Sequence, residues 1–251
     1  LTNISILYFE DIADTNLVNN LLNKIDSIDI DGIVDSSSLG FLLGDEENSV
    51  YPTFIETERP DIVATSLMEG KIAIVVDTSP FVLIIPAFFI DFVNPVIDNY
   101  NKSKNVNFIK ILRISAFLIS MMAPAIYIAV MNYNQETIPT SLLINFAIQR
   151  GGVPFPTIIE TLLMLFVCEI LRESDLRFPS SYGSAISILG AIVLGEASVS
   201  AGIASPITII VIAITFISSL TFTTIEINNA LRFFRFVFIL LSGLFGLYGI
   251  T

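Results

Sequence analysis

The sequence predicts a small α/β domain followed by an α-helical multi-pass membrane domain, and three observations carry that prediction. Of 251 residues, 53% are hydrophobic and 14% charged, and the mean hydropathy of +0.78 is far above that of a soluble domain of this length. The charge is segregated. Residues 1–107 hold 17 acidic and 5 basic side chains and residues 108–251 hold 7 of each, so the whole net charge of −12 lies in the first part. Near residue 79 the apolar pattern also changes, from short segments to runs long enough to approach a bilayer's thickness.

Residues 1–78 read as the α/β unit. "ISILYF" is a short β-like run, and "TNLVNNLLNKIDSI" sets Leu17, Leu21, Leu22, Ile25 and Ile28 at helical spacing behind a Thr15 or Asn16 cap. "DGIV" predicts a second strand, "DIVATSLMEG" a second helix ending at Gly70, and "KIAIVV" a last strand. Strands alternating with helices favour a mostly parallel or mixed sheet. Residues 79–107 form an interfacial or re-entrant helix and linker, because Pro86, Asp91 and Pro95 interrupt the apolar run.

The helical membrane domain spans 108–251. Five crossings are expected, at 108–131, 156–171, 183–199, 203–225 and 233–250, the first kinked at Pro124. Between the first two, Ile138 to Ile148 is helical in pattern but too short to span. Positive residues near span ends mark the cytoplasmic side. Lys102, Lys104, Lys110, Arg113, Arg172, Arg177, Arg232 and Arg235 then fall together, Arg150 falls opposite, and the acidic domain is cytoplasmic. The chain begins at Leu1 rather than Met and stops just after an apolar run, so it is expected to be a fragment.

Composition also excludes chemistry. Nucleic-acid binding needs clustered Lys and Arg, which the acidic part lacks. There is no His, and Cys168 stands alone in an apolar run, so no histidine catalysis, zinc site or disulfide framework is available. No phosphate loop, nucleophile elbow or metal-ligand spacing occurs. Hence no catalytic, cofactor-binding or metal-binding residue is assigned, and an enzyme is not expected.

Three features remain as candidates. Gly183, Ser187, Ala191 and Gly195 recur at steps of four and form a small-residue face, for tight helix packing or, with Ser184 and Ser198 beside it, for a narrow pore. Glu196 follows as a solvated helix end or an acidic ring at a cation pore's mouth. In "GGVPFPTIIETLL", Gly151, Gly152, Pro154 and Pro156 make a candidate hinge, while Thr157 and Glu160 fit a capping box, Glu160 reaching back to its own helix start. Glu169 with Arg172, and Arg172 with Glu173 and Asp175, read as local ion pairs.

Several segments in order, "TERPDIVATSLMEGKIAIVVDTSPF", "RISAFLISMMAPAIYIAVMNYNQETIPT", "GVPFPTIIETLLMLFVCEILRES" and "LGEASVSAGIASPITIIVIAITFISS", resemble the GerA/SpoVAF family of endospore-forming bacteria, the A subunits of spore germinant receptors. That resemblance covers nearly the whole chain. It implies a spore inner-membrane protein with a cytoplasmic N-terminal region. Its partners would be a transporter-like B subunit that recognises the nutrient and a lipoprotein C subunit. It also implies a homo-oligomer, a pentamer, forming a nutrient-gated cation channel whose opening releases ions and starts germination, or, in the SpoVAF branch, a protein supporting that release. Glu196 departs from a common Gln, Ser200 from a common acid, and "RFPSSYGS" from a more basic loop. Two rivals are a non-conducting scaffold that assembles the receptor and a secondary transporter using the broken segments near 86–95 and 151–156.

Overall fold

The computed structural model describes residues 2–30, 32, 33, 35–44, 50–77, 79–93, 106–177, 190, 193–222 and 224–251. The chain forms two compact units, Leu1–Leu112 with Thr224–Ala230, and Arg113–Thr223 with Leu231–Thr251.

The first unit is built on a four-stranded sheet in the order β1-β3-β4-β2, with β1 at Ile4–Leu7, β2 at Ile55–Thr57, β3 at Ile72–Val76 and β4 at Val82–Ile85. Every pairing is antiparallel, in the registers Ile4↔Val76, Ile72↔Ile85 and Ile55↔Ile84. The expected parallel or mixed sheet is therefore corrected. A run such as Ile72–Val76 signals burial on both faces, which is commonest in parallel sheets. Here Ile72, Ile74 and Leu83 enter the core with helical residues, and Ala73 and Ile84 on the opposite face are also buried. Burial was legible in the run; strand direction was not.

Helix α1 (Thr15–Ser27) turns Val18 and Leu21 into that core, and its cap is Asp14, whose carboxylate accepts from Asn16 N at 2.9 Å. Helix α2 (Ser36–Leu43) adds Leu39 and Leu43. Helix α3 (Pro60–Met68) packs against β2, β3 and β4. The "TERPD" segment starts it: Pro60 fits the first helical turn, where no N–H is needed. Arg59 donates to both Asp61 oxygens, at 3.1 and 2.6 Å, and holds that exposed carboxyl below the usual carboxylate range. Gly70 closes α3 at φ 85°, a conformation that L side chains rarely adopt.

Residues 82–85 belong to the sheet, which corrects their assignment to an interfacial or re-entrant helix beyond residue 78. The short helix α4 (Phe89–Val93) follows. Asp91, which interrupts the apolar run, is tied to buried Lys71 at 2.6 Å and accepts from Phe88 N at 2.7 Å, so this carboxylate is a clasp on the sheet. Of the predicted "DGIV" strand, only Gly32 and Ile33 are described, and neither is in a strand; Asp31 and Val34, like residues 94–105, lie outside the described residues.

The second unit is helical. Helix α5 (Val106–Asn132), a 3-10 turn at Gln135–Thr137, α6 (Thr140–Arg150) and α7 (Thr157–Arg177) lead to a helical stretch at 193–200, here α8. Then come α9 (Pro206–Ser219), α10 (Ile225–Phe245) and a 3-10 turn at Gly246–Gly249. Ala125, Ile128, Met131, Met164, Leu165, Ile212 and Ile239 pack α5, α7, α9 and α10 into one core.

Among the described residues, two helical segments, Asn107–Asn132 and Ile227–Gly249, are long and apolar enough to cross a membrane, with 26 and 23 residues at mean hydropathy 2.1 and 1.8. At 1.5 Å per residue they reach about 39 and 34 Å against a hydrocarbon core of about 30 Å. The expected crossing at 203–225 is shorter here, 14 helical residues at Pro206–Ser219. The expected crossing at 156–171 corresponds to α7, which carries Glu160, Glu169, Arg172 and Glu173. Most of 183–199 lies outside the described residues.

Around its apolar core the second unit buries polar groups and exposes apolar ones. Ser120, Glu160, Ser205, Thr208, Arg235 and Ser242 are buried, while Ile114, Ile126, Phe166, Ile217, Leu240 and Leu244 are exposed. Water-soluble units bury apolar groups and rarely expose contiguous apolar surface.

Candidate functional site

The chemistry of the helical unit is concentrated at two places along α7. The first begins with the turn "SAGIASP". Gly202, at φ 68°, ends α8, while Ile203 N donates to Ser198 O at 2.9 Å. Ser205 then sits at the N-cap of α9 with Pro206 behind it. An N-cap hydroxyl ordinarily accepts from its own helix, but Ser205 does not. Its backbone N–H and its hydroxyl both donate to Glu160 Oε1 of α7, at 2.6 and 2.7 Å.

Glu160 therefore caps a neighbouring helix, which corrects the expectation that it caps its own. The Thr157 hydroxyl, expected to complete that capping box, instead donates to Asn132 Oδ1 of α5 at 3.0 Å. The physical preference is the same in either arrangement, a carboxylate at the positive end of a helix dipole and two orphan donors satisfied. A sequence pattern shows the residue suited to the job but not which helix start it meets.

From Ser205 the network continues. Its hydroxyl lies 2.9 Å from Thr208 Oγ1, which lies 2.9 Å from the Tyr127 hydroxyl of α5. Arg150, ending α6, brings its Nε within 3.7 Å of Glu160 Oε2, an ion pair without a hydrogen bond, so Glu160 Oε2 is buried with no donor. Four helices thus converge on one fully buried carboxylate.

The candidate hinge lies against this place. Gly151 caps α6, Val153 N donates to Arg150 O at 3.0 Å, and Pro156 O accepts from Glu160 N at 3.0 Å. A Cβ on Gly202 would stand 3.1 Å from the Gly152 carbonyl oxygen, so the "GGVPFP" backbone is pressed onto the "SAGIASP" turn. Gly202→Ala is expected to lose about 1–2 kcal/mol, because the left-handed conformation alone costs that much for a residue with a Cβ. Thermal denaturation of the purified protein checks this, and an unchanged midpoint would refute the turn geometry.

The second place lies nine residues further along α7. Glu169 meets Arg232 Nε at 2.9 Å and Arg235 Nη1 at 3.4 Å, both on α10. These pairs correct the expected local pairing of Glu169 with Arg172. Arg172 donates instead to Ser219 Oγ of α9 at 2.5 Å and lies 4.9 Å from the Phe216 ring centroid. Its other expected partners are Glu173, the next residue of α7, and Asp175, whose side chain lies outside the described ones.

Arg235, 1% exposed at its side chain, also donates through Nε to Ser120 O of α5 at 2.7 Å. This bond has a sequence cause: Pro124, four residues after Ser120, has no N–H, so the Ser120 carbonyl loses its helical donor. Arg235 replaces it. The proline expected to kink α5 thus opens a docking point within one continuous helix. The sequence marked Pro124 as a kink and Arg235 as a positive-side charge but carried no signal connecting Arg235 with Ser120, 115 positions away.

Of the candidate pore face, Gly183, Ser187 and Ala191 lie outside the described residues. Gly195 is half-buried in α8, and a Cβ there would come within 3.7 Å of Ile209 on α9; Glu196 is exposed. Among the described residues, no group of three or more His, Cys, Asp or Glu is placed to hold a metal ion.

Comparison with known proteins gives a consistent answer. A family model described as "Bacillus/Clostridium GerA spore germination protein" matches residues 1–251. Spore germination protein KA of Bacillus subtilis (strain 168) is 43% identical over 249 residues, 99% of this chain and 46% of that protein. Spore germination protein GerLA of Bacillus cereus is 39% identical over 247 residues, 98% of this chain and 50% of that protein. The chain thus spans about half the length of these relatives. A crystal structure of the N-terminal domain of the A subunit of the Bacillus megaterium spore germinant receptor GerK3 is 40% identical, covering 35% of this chain and 70% of its own, with a TM-score of 0.27.

Proposed function

The chain belongs to the GerA family of spore germination proteins, and from that premise we propose that it is part of a germinant-receptor A subunit forming an oligomeric cation channel. The observation that carries the membrane placement is the polarity of the helical unit, apolar outside with buried Glu160 and Arg235. Ionisable groups inside a bilayer face the bundle interior and mark functional elements.

In this reading the acidic sheet unit is cytoplasmic, and five crossings embed the helical unit in the spore inner membrane. Arg150 lies at the outer end of α7; Arg172, Arg232 and Arg235 lie at the inner end, as a positive-inside orientation requires. Helix α8 contributes the pore face with Gly195, and Glu196 lies at its mouth. A transporter-like B subunit supplies nutrient recognition and a lipoprotein C subunit completes the complex. The Gly151–Pro156 segment transmits the signal, since it is pressed onto the turn joining α8 to α9.

Gly195→Leu tests this. A leucine overpacks the contact with Ile209, at a typical cost of about 1–3 kcal/mol. If opening tightens that contact, the same penalty lowers the open population about tenfold or more. Germinant-triggered release of monovalent cations from spores should fall accordingly. Normal release, or full-length protein that never conducts in liposomes with its partner subunits, would favour a non-conducting scaffold.

A further inference from the structure

None of the 11 residues of α6 is buried, although the elements on either side of it are anchored, α5 through Met131 and α7 through Thr157, Glu160 and Thr161. Phe146 touches the core from a half-buried position, while Leu142, Ile144 and Ile148 are exposed. The polar group with which α6 reaches another helix is Arg150. Its Nε stands 3.7 Å from Glu160 Oε2, and both atoms are buried without a hydrogen-bond partner.

Charge-assisted N–H···O bonds are about 2.7–2.9 Å long, so this pair attracts but is not closed. An unmade bond between buried groups leaves part of their desolvation uncompensated. The other oxygen of Glu160 is held far more firmly, receiving two donors from Ser205. Arg150 and Glu160 also stand on the two sides of the Gly151–Pro156 segment. A Cβ on Gly152 would meet nothing within 4 Å, so the segment has free space on one side, and hinges are short stretches that absorb a change in φ and ψ.

We propose that α6 is a strap that opens about the Gly151–Pro156 hinge, with Arg150 and Glu160 as its catch. Opening separates the pair and gives Glu160 Oε2 access to water. Glu160 Oε1 keeps its hold on Ser205, so α9 stays capped in both states. The strap follows from burial and geometry within the helical unit; its gating role rests on the channel reading above, in which a partner acting on α6 frees the segment pressed onto the turn between α8 and α9.

The test is hydrogen exchange of the full-length natural protein in nanodiscs, read by mass spectrometry, since exchange measures local opening. Peptides covering 140–153 are expected to exchange faster than those covering 157–165 at the head of α7. Arg150→Gln should raise the rate of 140–153 further. The Arg150 side chain is 21% exposed, so the loss is smaller than at a fully buried pair and about tenfold is expected. Glu160→Gln keeps an accepting oxygen for Ser205 and should have the same effect on this segment. The double substitution should add nothing, because either change alone opens the catch. Gly152→Ala should slow the segment about two- to fivefold by stiffening the hinge, a change of opposite sign that general loosening of the fold does not produce.

Equal exchange of 140–153 and 157–165, no response to Arg150→Gln, or additive effects of Arg150→Gln and Glu160→Gln overturns the proposal. None of these measurements requires conductance. A protein that never conducts but shows these shifts fails the channel reading and keeps the strap, so the two failures are distinguishable.

Discussion

Arg235→Met is expected to destabilise the helical unit by about 3–5 kcal/mol, the usual cost of breaking a buried charge pair from one side. Methionine fills much of the volume, so the loss isolates polar terms: the contact with Glu169 at 3.4 Å and the donation to the Ser120 carbonyl at 2.7 Å. The second term depends on Pro124. With Pro124→Ala, residue 124 regains an N–H and can satisfy Ser120 within α5, so Arg235→Met should cost less in that background. The expected coupling is about 1–2 kcal/mol, above the roughly 0.3–0.5 kcal/mol within which independent sites add. Denaturation midpoints of the four proteins in detergent measure it, and additive losses would show that Arg235 does not replace the missing proline donor.

Glu160→Ala is expected to cost about 3 kcal/mol, since two hydrogen bonds to a charged acceptor disappear and Ser205 N–H is left buried. Glu160→Gln keeps an accepting oxygen and should cost about half as much, the remainder reflecting the lost charge at the dipole of α9. A double-mutant cycle with Ser205→Ala identifies the helix being capped. A neighbouring-helix cap predicts a coupling of about 1 kcal/mol or more, whereas a cap on its own helix predicts none. Thr157→Ala paired with Ser205→Ala provides the control, because the Thr157 hydroxyl goes to Asn132.

What the sequence revealed follows from the range of each signal. Local patterns located β1, α1, α3 and β3, because caps, helical spacing and apolar runs are encoded within a few residues. They missed α2, whose eight residues "SSSLGFLL" are too short for a period to show, and β4, whose Val82–Ile85 run is apolar on both faces beside prolines. Strand direction failed because pairing is long-range. The site was partly visible: Glu160, Glu169 and Pro124 stood out as anomalies in apolar runs. Their partners were not identified: Ser205 and Ser120 carried no mark and Arg235 showed only as a positive-side charge, because each lies 45 to 115 residues from the group it meets. A charged or helix-breaking residue in an apolar run announces that it needs a partner, while only the fold says who it is.

Helix α7 holds its two carboxylates nine residues apart. Nine residues are two and a half turns, so Glu160 and Glu169 project from opposite sides of the helix and lie about 13.5 Å apart along it. One grips the start of α9 and the other grips α10. Turning α7 about its axis pulls on both grips together, so it acts as an axle keyed at two points. In the channel reading proposed above, a push from the Gly151–Pro156 segment at one end would be delivered to the arginines of α10 at the other without α7 having to bend or unwind.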